Sequence, residues 1–309
     1  MPFDEVVLND GNAMPTIAFG TGSKWKRQDV TALVGQAIDA GFWHIDTAAY
    51  YETEEYVGKA IRESGLSRSE IFITTKYPSP EHRTIPEEIR KSLKNLGLKH
   101  VDLYLIHFPE SVPDIQIGWR EMETIKSEGL AKSIGVSNFV LEQLQKVLST
   151  ANVTPAVNQI SLNPYNYRQM KSTIDYCKKN GIVVEAFSSL APITQYPGGP
   201  VDEALQDAAE RLKITTVQVI FLWLRAKGLS IVTTTSKKEH MEEYLSVGDL
   251  PPLTPEEVEA IDEAGAKGPP STLTLAIRRG YKRAAGSPVK ALLAFGFASF
   301  MMYQGMRLW

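Results

Sequence analysis

In IFITTKYPSPEHRTIPEEIRKSLKNLGLKHVDLYLIH, residues 71–107, the repeating unit of the chain is plainest. An apolar, β-branched run at 71–75 is followed by an amphipathic stretch at 86–96 and a second apolar run at 101–106, which reads as strand, helix, strand. Two strands joined through a helix run parallel, because the crossover returns the chain to the same end of the sheet. The unit recurs in both directions. Further apolar runs lie at 17–19, 42–45, 133–136, 156–160, 182–187 and 230–232, making eight strand candidates. Amphipathic segments at 29–40, 118–128, 141–149, 169–180 and 201–212 fall between them. Eight short strands alternating with helices predict a closed (β/α)8 barrel of the TIM type. A doubly wound dinucleotide-binding sheet ordinarily uses fewer strands and carries G-x-G-x-x-G after the first. Here that turn reads Gly20, Thr21, Gly22, Ser23, Lys24, Trp25.

The composition suits one large domain with an appendage. With 43% hydrophobic and 22% charged residues among 309, the chain can bury a large core and is not expected to be disordered. Cys177 is the lone cysteine, so no disulfide within the chain and no Cys/His metal cluster are expected. The N-terminal residues lack the basic start and apolar run of a secretory signal, which predicts a cytoplasmic protein. Nothing in the overall charge of −3 calls for nucleic acid as a partner.

In such a barrel the chemistry gathers at the carboxyl ends of the strands. There the sequence sets Asp46 after the second run, with Tyr51 five residues on, Lys76 after the third and His107 after the fourth. Neighbouring parallel strands lie about 4.8 Å apart, so these groups can converge. Singly, each has a structural explanation: a helix cap, a solvated lysine, a packed histidine. Four on three consecutive strands are harder to explain so.

The segment His44, Ile45, Asp46, Thr47, Ala48, Ala49, Tyr50, Tyr51 resembles the I-D-T-A-x-x-Y signature of aldo-keto reductases. Ile134, Gly135, Val136, Ser137, Asn138, Phe139 and Val157, Asn158, Gln159, Ile160 match further stretches, and the likeness spans residues 6–267. The resemblance implies a barrel that reduces a small carbonyl substrate with NADPH. Asp46, Tyr51, Lys76 and His107 fall at its catalytic tetrad: Tyr51 as proton donor, Lys76 as the cation beside it, Asp46 as the lysine's partner, and a neutral His107 orienting the carbonyl. A metal is not required.

By the same resemblance Ser137, Asn138, Gln159 and Phe187 belong to the nicotinamide side of a cofactor site, and Gly22, Ser188 and Leu190 also fall at cofactor-binding positions. Phe187 stands where the family usually has tyrosine, which keeps the ring face and loses a hydroxyl. At the adenosine end the family often reads I-P-K-S with a later arginine, whereas this chain has Val232, Thr233, Thr234, Thr235, Ser236, Lys237 and, at the arginine position, His240. That variant is similar to fungal members that prefer NADPH, with Thr235, Ser236 and Lys237 available to a 2′-phosphate. Trp25, Tyr50, Trp119, His82 and Phe108 are expected near the substrate mouth, which suits compact aldehydes, ketones, dicarbonyls or ketolactones.

The sequence divides into the barrel at 1–268, a basic linker at 269–290 and a hydrophobic tail at 291–309. From Ala264 onward there are seven basic residues and no acidic one. Residues 291–306 carry no charge and would form a helix of about 24 Å, or nearly 29 Å if it runs to Trp309, just short of a hydrocarbon core of about 30 Å. An apolar run beside a cationic cluster reads as a transmembrane tail anchor in an intracellular membrane, although such a tail could also pack over the barrel mouth. The rival to an enzyme is a cofactor-binding regulatory subunit attached to a membrane through the same tail.

Overall fold

The computed structural model describes residues 3–78 and 83–271. Its strands are β1 (Glu5–Val7), β2 (Ala13–Pro15), β3 (Ile17–Gly20), β4 (His44–Asp46), β5 (Phe72–Tyr77), β6 (Val101–Ile106), β7 (Ala131–Ser137), β8 (Val157–Ser161), β9 (Val183–Phe187) and β10 (Ser230–Thr233). β3 to β10 pair in sequence order, all parallel, and β10 closes on β3. All eight strand candidates are therefore barrel strands, and every residue of β5 and β6 is buried. Such strands face the packed barrel interior on one side and a helix on the other, so they read as nearly continuous apolar runs.

The helix Ile85–Leu96 shows how the sequence sets an element's limits. Thr84 and Glu87 form a capping box in which the Thr84 backbone N–H donates to Glu87 Oε2 at 2.8 Å. Ile85, Ile89, Leu93 and Leu96 bury one face, and Gly97, at φ 70°, ends the helix in a left-handed turn. The other expected helices lie at Thr31–Ala40, Ile115–Ser127, Leu141–Leu148, Tyr167–Lys179 and Asp202–Leu212.

Several elements were not legible. Thr216–Ala226 is helical although its sequence has no polar face, because Val219 to Leu224 are all buried between β10 and the helices Asp202–Leu212 and Lys238–Ser246. β1 and β2 form an antiparallel hairpin ahead of the barrel. Leu8 and Met14 from it pack with Phe72, Leu103, Leu105, Ala156 and Val157, closing the end where β5 and β8 begin. Among the described residues no helix is long and apolar enough to cross a membrane. The hydrophobic tail, most of the basic linker and His82 lie outside the described residues.

Candidate active site

At the carboxyl ends of the barrel strands lies a cavity of about 440 Å³. Asp46 ends β4, Lys76 is next to last in β5, and His107 directly follows β6. Lys76 Nζ donates to Asp46 Oδ1 at 2.6 Å, to Asp46 Oδ2 at 2.7 Å and to the Thr47 carbonyl at 2.9 Å. Both side chains are cut off from solvent. Burial, the largest single influence, pushes the lysine toward losing its proton, but the charge and hydrogen bond of Asp46, with Tyr51 and Glu185 adding to them, together outweigh it and the net shift is upward. The ammonium stays charged.

Tyr51 ends a short 3-10 turn, Ala49–Tyr51, closed by Glu52 at φ 55°. Its ring centroid lies 5.2 Å from Lys76 Nζ. Burial raises the phenol above its ordinary value, Lys76 opposes this through its charge and a hydrogen bond, and the net shift remains upward. Tyr51 therefore keeps its proton at neutral pH. Gly22 makes the position possible: a Cβ there would come within 2.9 Å of the Tyr51 ring.

His107 stacks on Phe108 with centroids 4.2 Å apart and meets the Tyr51 ring edge-on at 5.5 Å. Burial, with Lys76 and Lys26 nearby, depresses its pKa to about 2. The imidazole is neutral, and its buried Nδ1 makes no hydrogen bond among the described residues.

β7 and β8 bring amides to the cavity. Asn138, at φ 63° just past β7, donates through Nδ2 to the His107 carbonyl at 3.0 Å and to Ser137 Oγ at 3.1 Å. Gln159 Nε2 donates to Asp46 Oδ2 at 2.8 Å and to Glu185 Oε2 at 3.0 Å. Each NH2 has two protons, and each is fully used. Asn138 Oδ1 and Gln159 Oε1 accept no hydrogen bond from the described residues. Phe187, Ser188 and Leu190 continue the lining, with Ser188 at φ 58° and the buried Ser189 Oγ without a hydrogen-bond partner among the described residues.

Past β10, Thr234 lines the cavity and accepts a hydrogen bond from Trp25 Nε1 at 3.2 Å. Thr235 Oγ1 accepts from the Lys237 backbone N–H at 3.2 Å and lies 3.4 Å from His240 Nδ1. Ser236 and Lys237 are exposed at the start of the helix Lys238–Ser246. These four, like Trp25, are not among the residues lining the cavity.

Tyr50 and Phe108 do line it, but Trp119 does not. Expected near the substrate, Trp119 is instead 1% exposed and donates to the Val153 carbonyl at 2.9 Å. Gly118, Trp119, Met122 and Ile125 form the buried stripe of their helix, so the ring faces the barrel wall. Sequence reasoning missed Lys26, whose ammonium lies 4.5 Å from the Tyr50 ring centroid, and Glu185. An acidic residue inside the apolar run Val183, Val184, Glu185, Ala186, Phe187 was the available signal for the second; nothing marked the first.

The model of the aldo/keto reductase family matches residues 16–266. A Schizosaccharomyces pombe NAD/NADP-dependent indole-3-acetaldehyde reductase is 37% identical, over 76% of this chain and 87% of its own length. A Saccharomyces cerevisiae NADPH-dependent alpha-keto amide reductase is 35% identical, over 86% of this chain and 92% of its own. The crystal structure of a Bombyx mori aldo-keto reductase in complex with NADP is 34% identical with a TM-score of 0.77, covering 85% of this chain and 92% of that one. These relatives are reductases, which does not favour a non-catalytic subunit. The chain belongs to the aldo/keto reductase family.

Proposed function

We propose that this protein reduces aldehydes or ketones to alcohols, with NADPH as the reductant and Tyr51 as the proton donor. The observation that carries the reading is the buried, charged Lys76, held by Asp46 beneath a protonated Tyr51. A free phenol is a poor donor at neutral pH, with a pKa of about 10, unless a cation stabilises the phenolate it leaves. Lys76 is that cation, and Asp46 keeps it charged and in place. His107, being neutral, retains one N–H to donate to the carbonyl oxygen and holds the carbonyl near the phenol.

The amide wall fits a nicotinamide. Asn138 Oδ1 and Gln159 Oε1 are two free acceptors, a carboxamide NH2 brings two donors, and Phe187 offers an aromatic face beside them. Gly22, Ser137, Ser188 and Leu190 complete that part of the site. Bound NADPH supplies the hydride to the carbonyl carbon. For the adenosine end, Thr235, Ser236 and Lys237 offer hydroxyls and a cation at a helix start, which suits a 2′-phosphate, with Thr234 and His240 alongside. Tyr50 and Phe108 at the mouth favour compact aldehydes, ketones, dicarbonyls or ketolactones.

The test is NADPH absorbance against a panel of those compounds. Turnover with at least one class supports the reading. Tight NADPH binding without turnover on any would point to a cofactor-binding subunit. We propose further that the tail, residues 291–309, attaches the enzyme to an intracellular membrane with the barrel on the cytoplasmic side. Its support is the charge-free run 291–306 beside the basic linker 269–290.

A further inference from the structure

Glu185 is wholly buried in the middle of β9. Reduction of a carbonyl has no need of a second carboxyl beside Asp46, and burying one is costly. Among the described residues its one hydrogen bond is from Gln159 Nε2 to Oε2; its other oxygen, Oε1, has no hydrogen-bond partner, with His44 Nδ1 3.9 Å away. The charged or titratable groups facing it are His44 and Asp46 from β4 and Lys76 from β5. From the adjoining β8 and β10 come the neutral Gln159 and Ser230.

Gln159 explains the cost. A single acceptor, Asp46, determines which end of the amide faces inward. A second acceptor on the other side fixes the plane of the amide as well, because both Nε2 protons are then committed. What remains is Oε1, on a residue that lines the cleft. We infer that Glu185 is a positioning residue: through Gln159 it fixes the amide so that Oε1 is presented as an acceptor to the carboxamide NH2 of the nicotinamide. This rests on the reading that the wall of Ser137, Asn138 and Gln159 takes that ring. Burial and the nearby Asp46 raise the Glu185 carboxyl to about 7, and both its acid and its anion can accept at Oε2, so the arrangement holds on either side of neutrality.

The test compares two ligands on the full chain by equilibrium fluorescence titration: NADP+, and its 3-acetylpyridine analogue, in which a methyl group replaces the carboxamide NH2. Glu185→Leu removes the second acceptor. It should weaken NADP+ binding roughly three- to tenfold, the loss expected for one hydrogen bond, and leave analogue binding as it was. Glu185→Gln, which keeps an acceptor, should restore the difference, and Gln159→Leu should abolish it. If Glu185→Leu keeps the wild-type ratio while Gln159→Leu abolishes it, the inference is overturned and the reading of the wall stands. If Gln159→Leu also leaves the ratio unchanged, the reading of the wall is wrong. Equal weakening of both ligands by Glu185→Leu means a structural role only and overturns the inference. Should the leucine variant fail to fold, Glu185→Met gives the same comparison with an unbranched side chain.

Discussion

Lys76 Nζ lies 2.6 Å and 2.7 Å from the two carboxylate oxygens of Asp46, with neither side chain open to water. A pair of this kind is sensitive to losing one member, because the other is left as an uncompensated buried charge. Lys76→Met should therefore cost about 3–5 kcal/mol in denaturant unfolding as well as most of the turnover. Asp46→Asn combined with Lys76→Met removes both charges and should recover much of the stability, yet none of the activity. A double variant no more stable than the single one would mean that the pair is not what makes the site fragile.

The cofactor's 2′-phosphate gives a second prediction. Ser236→Ala with Lys237→Ala should raise the Michaelis constant for NADPH much more than that for NADH, since charge-assisted bonds worth about 1.5–3 kcal/mol each are lost from one cofactor alone. Equal effects on both would place the discrimination elsewhere.

Stability should fall on acidification. Burial holds His44 at about 4 and His107 at about 2 in the folded chain, against about 6.5 for a free histidine. Each favours the fold in its neutral form, so its contribution is complete above about 6.5 and declines by roughly 1.4 kcal/mol per pH unit as pH falls toward the folded value. Glu185, raised to about 7, works the other way: its contribution is complete below the ordinary carboxylate range and is lost as pH rises through 7. Glu54, also raised by burial, joins Glu185, and His100, lowered by burial, joins the other two histidines, so three histidines oppose two carboxyls between about 4.5 and 6.5. Denaturation midpoints measured from pH 7 to 5 should decline, less steeply in His44→Asn and more steeply in Glu185→Gln. A flat wild-type profile would contradict these environments.

How much the sequence discloses depends on whether a residue's role is local. The barrel strands are continuous apolar runs because both faces are buried, so they could be read directly, and Asp46, Lys76 and His107 could be found because they stand at or just past the ends of those runs. Trp119 could not be placed, since an aromatic in the early turns of a helix serves the mouth or the wall according to the register of that helix. Thr216–Ala226 hid its helix because tertiary burial removed the polar face that periodicity needs. Glu185 matters through Gln159 and Asp46, 26 residues and a strand away in one case and across the barrel in the other, a link that only the fold supplies.

The tail can be tested by truncation. A chain ending at Lys267 keeps all eight barrel strands and the tetrad, so it should remain active and stay in the supernatant, while the full chain sediments with membranes and resists high-salt extraction. A full chain that stays in the supernatant, or a truncated one that unfolds, would show that the tail serves the barrel instead.

If Tyr51 acts on the carbonyl oxygen and not on the cofactor, Tyr51→Phe separates the two effects when NADPH oxidation and the NADPH dissociation constant are measured on the same preparation. Turnover should drop by at least about a hundredfold, the contribution of a general acid, while the dissociation constant hardly changes. Near-normal turnover in that variant would contradict the account.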